Sequence, residues 1–190
     1  MIDWLFSLDW TWLFGQDGLN LAVEVVFVRA VASVTGASSG KRYGEIVFDT
    51  IVDPDGAGPE GFTNVGIIAT AAPTSPRVKV AVGTFGQIWV NGAPTHVDGP
   101  TFVAGNVAMF AADTSNGKIW VGKVGTGWYG SGDPAAGTNP LITLALATYY
   151  LCAAIERVDT PPIGGSKFSL RTQTSQFTGS IPSGFSAWYP

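Results

Sequence analysis

Large apolar side chains recur on alternate positions at the start of this chain: Trp4, Phe6, Leu8, Trp10, Trp12 and Phe14 share one face of residues 1–16. A period of two is that of a strand, so residues 1–18 are expected as an aromatic arm or first strand ahead of a folded domain over residues 19–190. A face this aromatic is costly to leave in water. It is buried either in the chain's own core or, as an assembly arm, on a neighbouring subunit. Asp3 and Asp9 interrupt the run, and it has no basic leader and no small-residue cleavage site. It is also too short to span a bilayer, so the pattern is neither that of a signal peptide nor that of a membrane span.

Beyond the arm the apolar runs stay short. Residues 21–34 read as a strand interrupted by Glu24 and Arg29. A glycine-bounded turn over residues 36–40 leads into residues 43–52, where Ile46, Phe48 and Thr50 alternate with Glu45, Val47 and Asp49. That pair is expected as a hairpin. Residues 65–70, 78–82 and 87–90 give three more strands at a spacing of about ten residues, the last closed by Asn91-Gly92. Residues 107–112 (VAMFAA) and 118–121 (KIWV) flank a polar turn from Asp113 to Gly117, again a hairpin. The 19 residues 122–140 hold six glycines and read as a loop. A loop that long in a compact domain is functional or disordered, and Trp128 and Tyr129 argue for order. Residues 141–156 (LITLALATYYLCAAIE) have the length of a helix, yet Thr, Tyr and Ile favour two strands meeting near Ala147-Thr148. Residues 160–165 bend the chain, residues 168–171 form a last strand, and residues 178–190 pack as coil held by Phe185, Trp188 and Tyr189. Regular short strands with such punctuation argue for a sandwich over a parallel α/β fold, whose crossovers need a dozen or more residues each.

Gly105-Asn106, Asp113, Gly117, Trp120 and Gly125 follow one another as in the matching hairpin of a SPRY domain, which this segment resembles. Asn106 stands where that family has Asp, and Val124 where it has Asn. Residues 39–45 (SGKRYGE) resemble the family's Gly-Lys-x-Tyr-x-Glu entry strand, and residues 65–68 (VGII) its central Val-Gly-Ile strand. Residues 177–188, together with 128–140, resemble the version found in bacteriophage virion proteins. The resemblance spans roughly residues 20–190. It implies an all-β fold: a single antiparallel β-sandwich, a concanavalin-like jelly roll, with the aromatic arm at its N-terminus.

Composition agrees with that fold. Hydrophobic residues make up 46% of the 190 positions and charged ones 13%, and 25 glycines with 12 prolines supply the turns. The net charge of −4 and the scattering of the ten Lys and Arg, of which only Lys41-Arg42 are adjacent, give no grip on a phosphate backbone, so nucleic acid is not an expected partner. Cys152 is the single cysteine; it can form no internal disulfide and reads as a small buried hydrophobe. Asp53, Asp55 and Glu60 crowd a turn-rich stretch and invite calcium, but EF-hand spacing is absent and an ordinary turn accounts for them, so no cofactor is expected. His96 is the only histidine, and no nucleophile elbow accompanies it. Glu45 and Asp49 share a strand face about 13 Å apart, against the roughly 5 Å of a retaining glycosidase. One is expected to bond a turn and the other to be solvated. No enzymatic activity is expected.

The resemblance implies a virion structural or accessory protein on a phage particle: a capsid decoration, head fibre, tail fibre or baseplate component. Its partners would be other virion proteins or a host-surface glycan or protein, in a homo-oligomer or larger assembly. The alternative is a carbohydrate- or protein-binding adhesion module outside any virion. SPRY domains recognise partner proteins through loops at one end of the sandwich, which makes Trp128, Tyr129, Asp133 and Asn139 of the Gly-rich loop the candidate contacts. Trp128 either stacks on a ligand such as a sugar ring or caps the core beneath its own loop.

Overall fold

Residues 107–113 form a strand whose seven positions are all buried, so both faces of the sheet around it must be covered. The computed structural model describes residues 23–24, 30–32, 36–51, 63–69, 80–83, 86–90, 93–155 and 167–189. Their strands are β1 (Val23–Glu24), β2 (Ala30–Ala32), β3 (Lys41–Thr50), β4 (Thr63–Ile68), β5 (Val80–Gly83), β6 (Gln87–Val90) and β7 (Ala93–Asp98). There follow β8 (Val107–Asp113), β9 (Lys118–Lys123), β10 (Gly127–Trp128), β11 (Ile142–Thr143), β12 (Tyr150–Ile155), β13 (Lys167–Arg171) and β14 (Ser186–Ala187). The first sheet runs β1-β13-β3-β8-β9-β10, with β11 also on β9 and β14 on β3; the second runs β2-β12-β4-β5-β6-β7. Among the described residues every strand pairing is antiparallel except that of β14 with β3. The helical structure among the described residues consists of short 3-10 turns at Tyr129–Ser131 and Thr174–Gln176, and no helix there is long and apolar enough to cross a membrane. The fold is thus the expected all-β sandwich of two sheets.

The core between the sheets follows the period of two. Ile46 and Phe48 of β3, Ala108 and Phe110 of β8, Ile119 and Val121 of β9 and Phe168 and Leu170 of β13 meet Val65, Ile67, Ile88 and Leu151 of the second sheet. Phe48 stacks on Phe102 with centroids 4.7 Å apart and meets Phe168 edge-on at 5.4 Å. Each fully buried aliphatic or aromatic side chain of this kind contributes about 1.5–3 kcal/mol of transfer free energy. The outer face of the first sheet is apolar too: Tyr43, Met109, Ala111 and Trp120 pack beneath Phe185, with Val124, Trp128, Phe177 and Ile181 at the margin. That second layer is why β8 reads as an unbroken apolar run instead of an alternation.

The hairpin at 107–121 forms as expected, the strand expected at 87–90 forms as β6 and pairs with β7, and residues 141–155 divide into β11 and β12, which lie in different sheets. Three expectations are corrected. The hairpin between 21–34 and 43–52 does not exist: β1 pairs with β13 in one sheet and β2 with β12 in the other, so the chain changes sheets before and after β2. Its alternation is compatible with either arrangement, because both sheets need one apolar face. The strand over 168–171 is not the last, since β14 adds to β3 beside Arg42 and Tyr43. In the terminal segment Phe185 and Trp188 are buried, but the Tyr189 side chain is 40% exposed and only its backbone N–H is held, by Thr172 O at 2.9 Å. The arm residues Trp4 to Phe14 and the acidic residues Asp53, Asp55 and Glu60 lie outside the described residues, and His96 sits on β7.

Candidate functional site

β9 would be an open edge of the first sheet, and the chain that follows it closes that edge. Residues 123–127 reverse direction, with Thr126 N–H donating to Lys123 O at 3.0 Å and Gly127 at φ +105°, so that Trp128 of β10 lies opposite Gly122. A Cβ on Gly122 would come within 2.6 Å of Gly127 O and 2.9 Å of the Met109 methyl, so glycine is needed for the Trp128 ring to approach the sheet. The loop then runs alongside β9 and rejoins it at β11, where Ile142 pairs with Ile119. In between, Trp120 Nε1 donates to Thr138 O at 2.8 Å and Lys118 Nζ to Gly137 O at 2.9 Å. The 122–140 stretch is therefore an ordered edge cover.

The four candidate contacts divide accordingly. Asp133 is exposed, but its Oδ1 accepts the Ala136 N–H at 3.0 Å and its backbone pairs with Thr138, so its polar groups hold a turn. Asn139 is exposed as well; it adopts φ +46°, which Asn tolerates, and its Nδ2 donates to Ser131 O at 3.1 Å. Tyr129 is corrected as a surface residue: its ring is buried in the inter-sheet core against Gly99, where a Cβ would lie 2.3 Å from it. Burial pushes its hydroxyl well above the ordinary tyrosine range. Trp128 is half-buried, its ring edge-on to Tyr43 with centroids 6.3 Å apart.

A second segment, distant in sequence, meets Trp128 there. Glu45 on the outer face of β3 is fully buried, and its carboxylate accepts from Tyr43 OH at 2.7 Å, Thr178 N–H at 2.9 Å and Gly179 N–H at 2.7 Å. The Arg171 guanidinium stands 3.7 Å away and donates to the Thr178 hydroxyl. Burial first, then the hydrogen bond and charge of Glu45, raise the Tyr43 hydroxyl beyond the usual tyrosine range. Gly179 is packed so closely that a Cβ would meet Tyr43 OH at 2.7 Å. This anchor sets Phe177 edge-on against Tyr43 at 4.9 Å. The outcome is a contiguous face of half-buried Trp128, Phe177, Ile181 and Val124 around the buried Tyr43 and Met109. Phe177 and Ile181 were not candidates from the sequence. The available signal was Gly179, a glycine between two apolar residues that only a close backbone approach requires.

Glu45 bonds a turn, as expected of one carboxylate of its pair. Asp49 is not simply solvated, because Ser169 Oγ donates to it at 2.6 Å. Cys152 is a free, fully buried thiol whose pKa is pushed up by burial, in keeping with a packing role.

Two facing sheets with a covered edge and a C-terminal segment folded across one outer face make a β-sandwich. The chain's fold is similar to that of the SPRY domain of human HERC1, with a TM-score of 0.55 and 17% sequence identity over 74% of this chain and 79% of that one. No family model matches the sequence, and no curated protein matches it. The likeness is one of fold.

Proposed function

We propose that this chain is a non-enzymatic recognition module of a bacteriophage particle, a capsid decoration, fibre or baseplate component that binds a partner protein at the virion surface. The observation that carries the reading is the half-buried face of Trp128, Phe177, Ile181 and Val124, which two segments about fifty residues apart converge to build. Trp128 and Phe177 are the side-chain types that anchor protein interfaces. With Tyr129 inside the core, the adjacent aromatic pair that would have suited a sugar ring is reduced to one residue, which favours a protein surface over a glycan. The phage context is supported by the sequence resemblance of residues 128–140 and 177–188. The non-enzymatic reading is supported by the engagement of Glu45 with three donors and of Asp49 with Ser169, which leaves neither poised for proton transfer.

The test is binding of the purified chain to phage particles lacking it and, separately, to host envelope protein and polysaccharide fractions. Trp128→Ala with Phe177→Ala should weaken binding to a particle or envelope protein at least tenfold in protein that still shows the all-β dichroism of the folded chain; the thermal midpoint falls as well, because both rings also pack edge-on against Tyr43. Binding to polysaccharide alone would favour the adhesion-module alternative, and undiminished binding by the double variant would place the contact elsewhere.

A further inference from the structure

Arg171 closes β13 level with Glu45, and Thr178 follows Phe177 directly in the chain, so the two polar side chains stand together where the apolar face of Trp128 and Phe177 meets the end of β13. Arg171 Nη1 lies 3.7 Å from Glu45 Oε2 and donates to the Thr178 hydroxyl. Glu45 balances the charge but does not take the guanidinium as a two-pronged partner, because Tyr43 OH and the N–H groups of Thr178 and Gly179 already donate to its oxygens. Among the described residues, the Thr178 hydroxyl is the one acceptor within hydrogen-bond distance of the Arg171 guanidinium, although only 25% of the Arg171 side chain remains exposed. Most of the donor fork is therefore unused and partly withdrawn from water. Thr178 is exposed, and because its oxygen accepts from Arg171 its own proton is available to a further acceptor.

We propose that Arg171 and Thr178 form a carboxylate-binding spot on the rim of this face, so that the protein segment docking on Trp128 and Phe177 carries an Asp or Glu beside its apolar anchor. The inference rests on the recognition reading and adds the chemistry of the partner. A carboxylate is the group that matches: its two oxygens accept from the guanidinium and the hydroxyl together, and its charge meets a cation whose own counter-ion is engaged elsewhere. A neutral acceptor would take one donor and leave the charge of a partly desolvated guanidinium as it was. The other charges on this side of the sheet reinforce the preference. Lys41 borders the same apolar layer, its Nζ 5.5 Å from the Phe185 centroid. Glu45 and Asp113 are buried, and Asp113 is held by the N–H and Nδ2 of Asn116. Asp49 is held by Ser169 and lies four positions beyond Glu45 on β3, about 13 Å along the strand. Asp133 is exposed, but it belongs to the cover of β9, three strand spacings from β13, or about 14 Å; charges that far apart are largely screened at physiological salt. Among the described residues, the charge that reaches solvent beside Phe177 is therefore positive, in a chain whose net charge is −4.

The experiment pans a random peptide display library on the immobilised full chain and measures the strongest binder, as a synthetic peptide, against the wild type, Arg171→Gln, Arg171→Lys and Trp128→Ala. Arg171→Gln leaves Glu45 its three other donors, and dichroism verifies that the variant keeps the all-β fold. The selected peptides should carry Asp or Glu next to an aromatic or aliphatic residue. Changing that acid to its amide should weaken binding to the wild type about tenfold and to Arg171→Gln about twofold or less, because the partner of the acid is already gone there. Arg171→Lys keeps the charge without the fork and should restore only part of the affinity that Arg171→Gln loses. Should Arg171→Gln not fold, Arg171→Lys takes its place in the cycle. Peptides that need Trp128 but carry no acid, or an acid-to-amide loss of equal size in both backgrounds, would overturn the inference and leave the recognition reading standing. Binding that survives Trp128→Ala, or a library that yields no binder, would overturn both.

Discussion

Glu45 is the residue on which the outer face turns, and its role is the opposite of a catalytic one. A carboxylate with no exposure is tolerable only when its lone pairs are taken, and here two backbone N–H groups, a phenol and a guanidinium take them. Glu45→Ala would leave the buried Tyr43 hydroxyl and the amides of Thr178 and Gly179 without an acceptor; a loss of about 3 kcal/mol is expected, read from urea unfolding midpoints. Glu45→Gln keeps one acceptor oxygen but sets an NH2 group against the remaining donors, and about half that loss is expected. The buried phenols give a separate alkaline signature. Tyr43 and Tyr129 hold their protons in the folded state beyond the tyrosine reference of about 10, so the unfolded chain binds fewer protons above that pH. Stability from these groups is full below about pH 10 and declines as pH rises past it. Phenolate absorbance should therefore appear in a fast exposed phase, with the remainder appearing only together with unfolding.

At the scale of elements, the run from Gly122 to Pro140 shows what sequence could and could not disclose. Its order was legible from the embedded Trp128-Tyr129. Its purpose was not, because covering β9 depends on Trp120 and Lys118 reaching backbone carbonyls about eighteen residues ahead, a pairing that no local pattern encodes. Trp120→Phe keeps the packing and removes the bond to Thr138 O; a loss of about 1 kcal/mol is expected, with faster hydrogen exchange confined to residues 129–140. Gly122→Ala would press a methyl group against Gly127 O and the Met109 methyl, and a cost of about 1–3 kcal/mol is expected, accompanied by a change in the Trp128 fluorescence environment. The strands themselves were legible wherever turn residues punctuated them, as at Asp113 to Gly117, where Asn116 bonds both Asp113 oxygens. Partnership was less legible. Residues 21–34 read as one strand of a hairpin because apolar character marks burial without naming the sheet, and only β12 and β13, more than a hundred residues later, decide it.

At the scale of the whole molecule, the two sheets share one core, and the C-terminal segment binds both the outer face, through Phe185, and the inter-sheet core, through Trp188. Far-ultraviolet dichroism and tryptophan fluorescence should accordingly report a single coincident unfolding transition; two separated transitions would mean that the outer layer melts by itself. The parallel pairing of β14 with β3 carries a further consequence for how the protein is made. Ser186 must find Arg42, and Arg42 in turn donates to Ala187 O, across 145 positions of chain. Contacts that distant in sequence form late and slow the search. During synthesis, Glu45 emerges from the ribosome long before Thr178 and Gly179 exist to donate to it, so the nascent sandwich carries an unsated acid and a bare aromatic face until residues 177–188 have emerged. Fusions at the front of the domain should be tolerated, whereas a stop codon soon after Arg171 should yield a chain that chaperones retain and proteases clear.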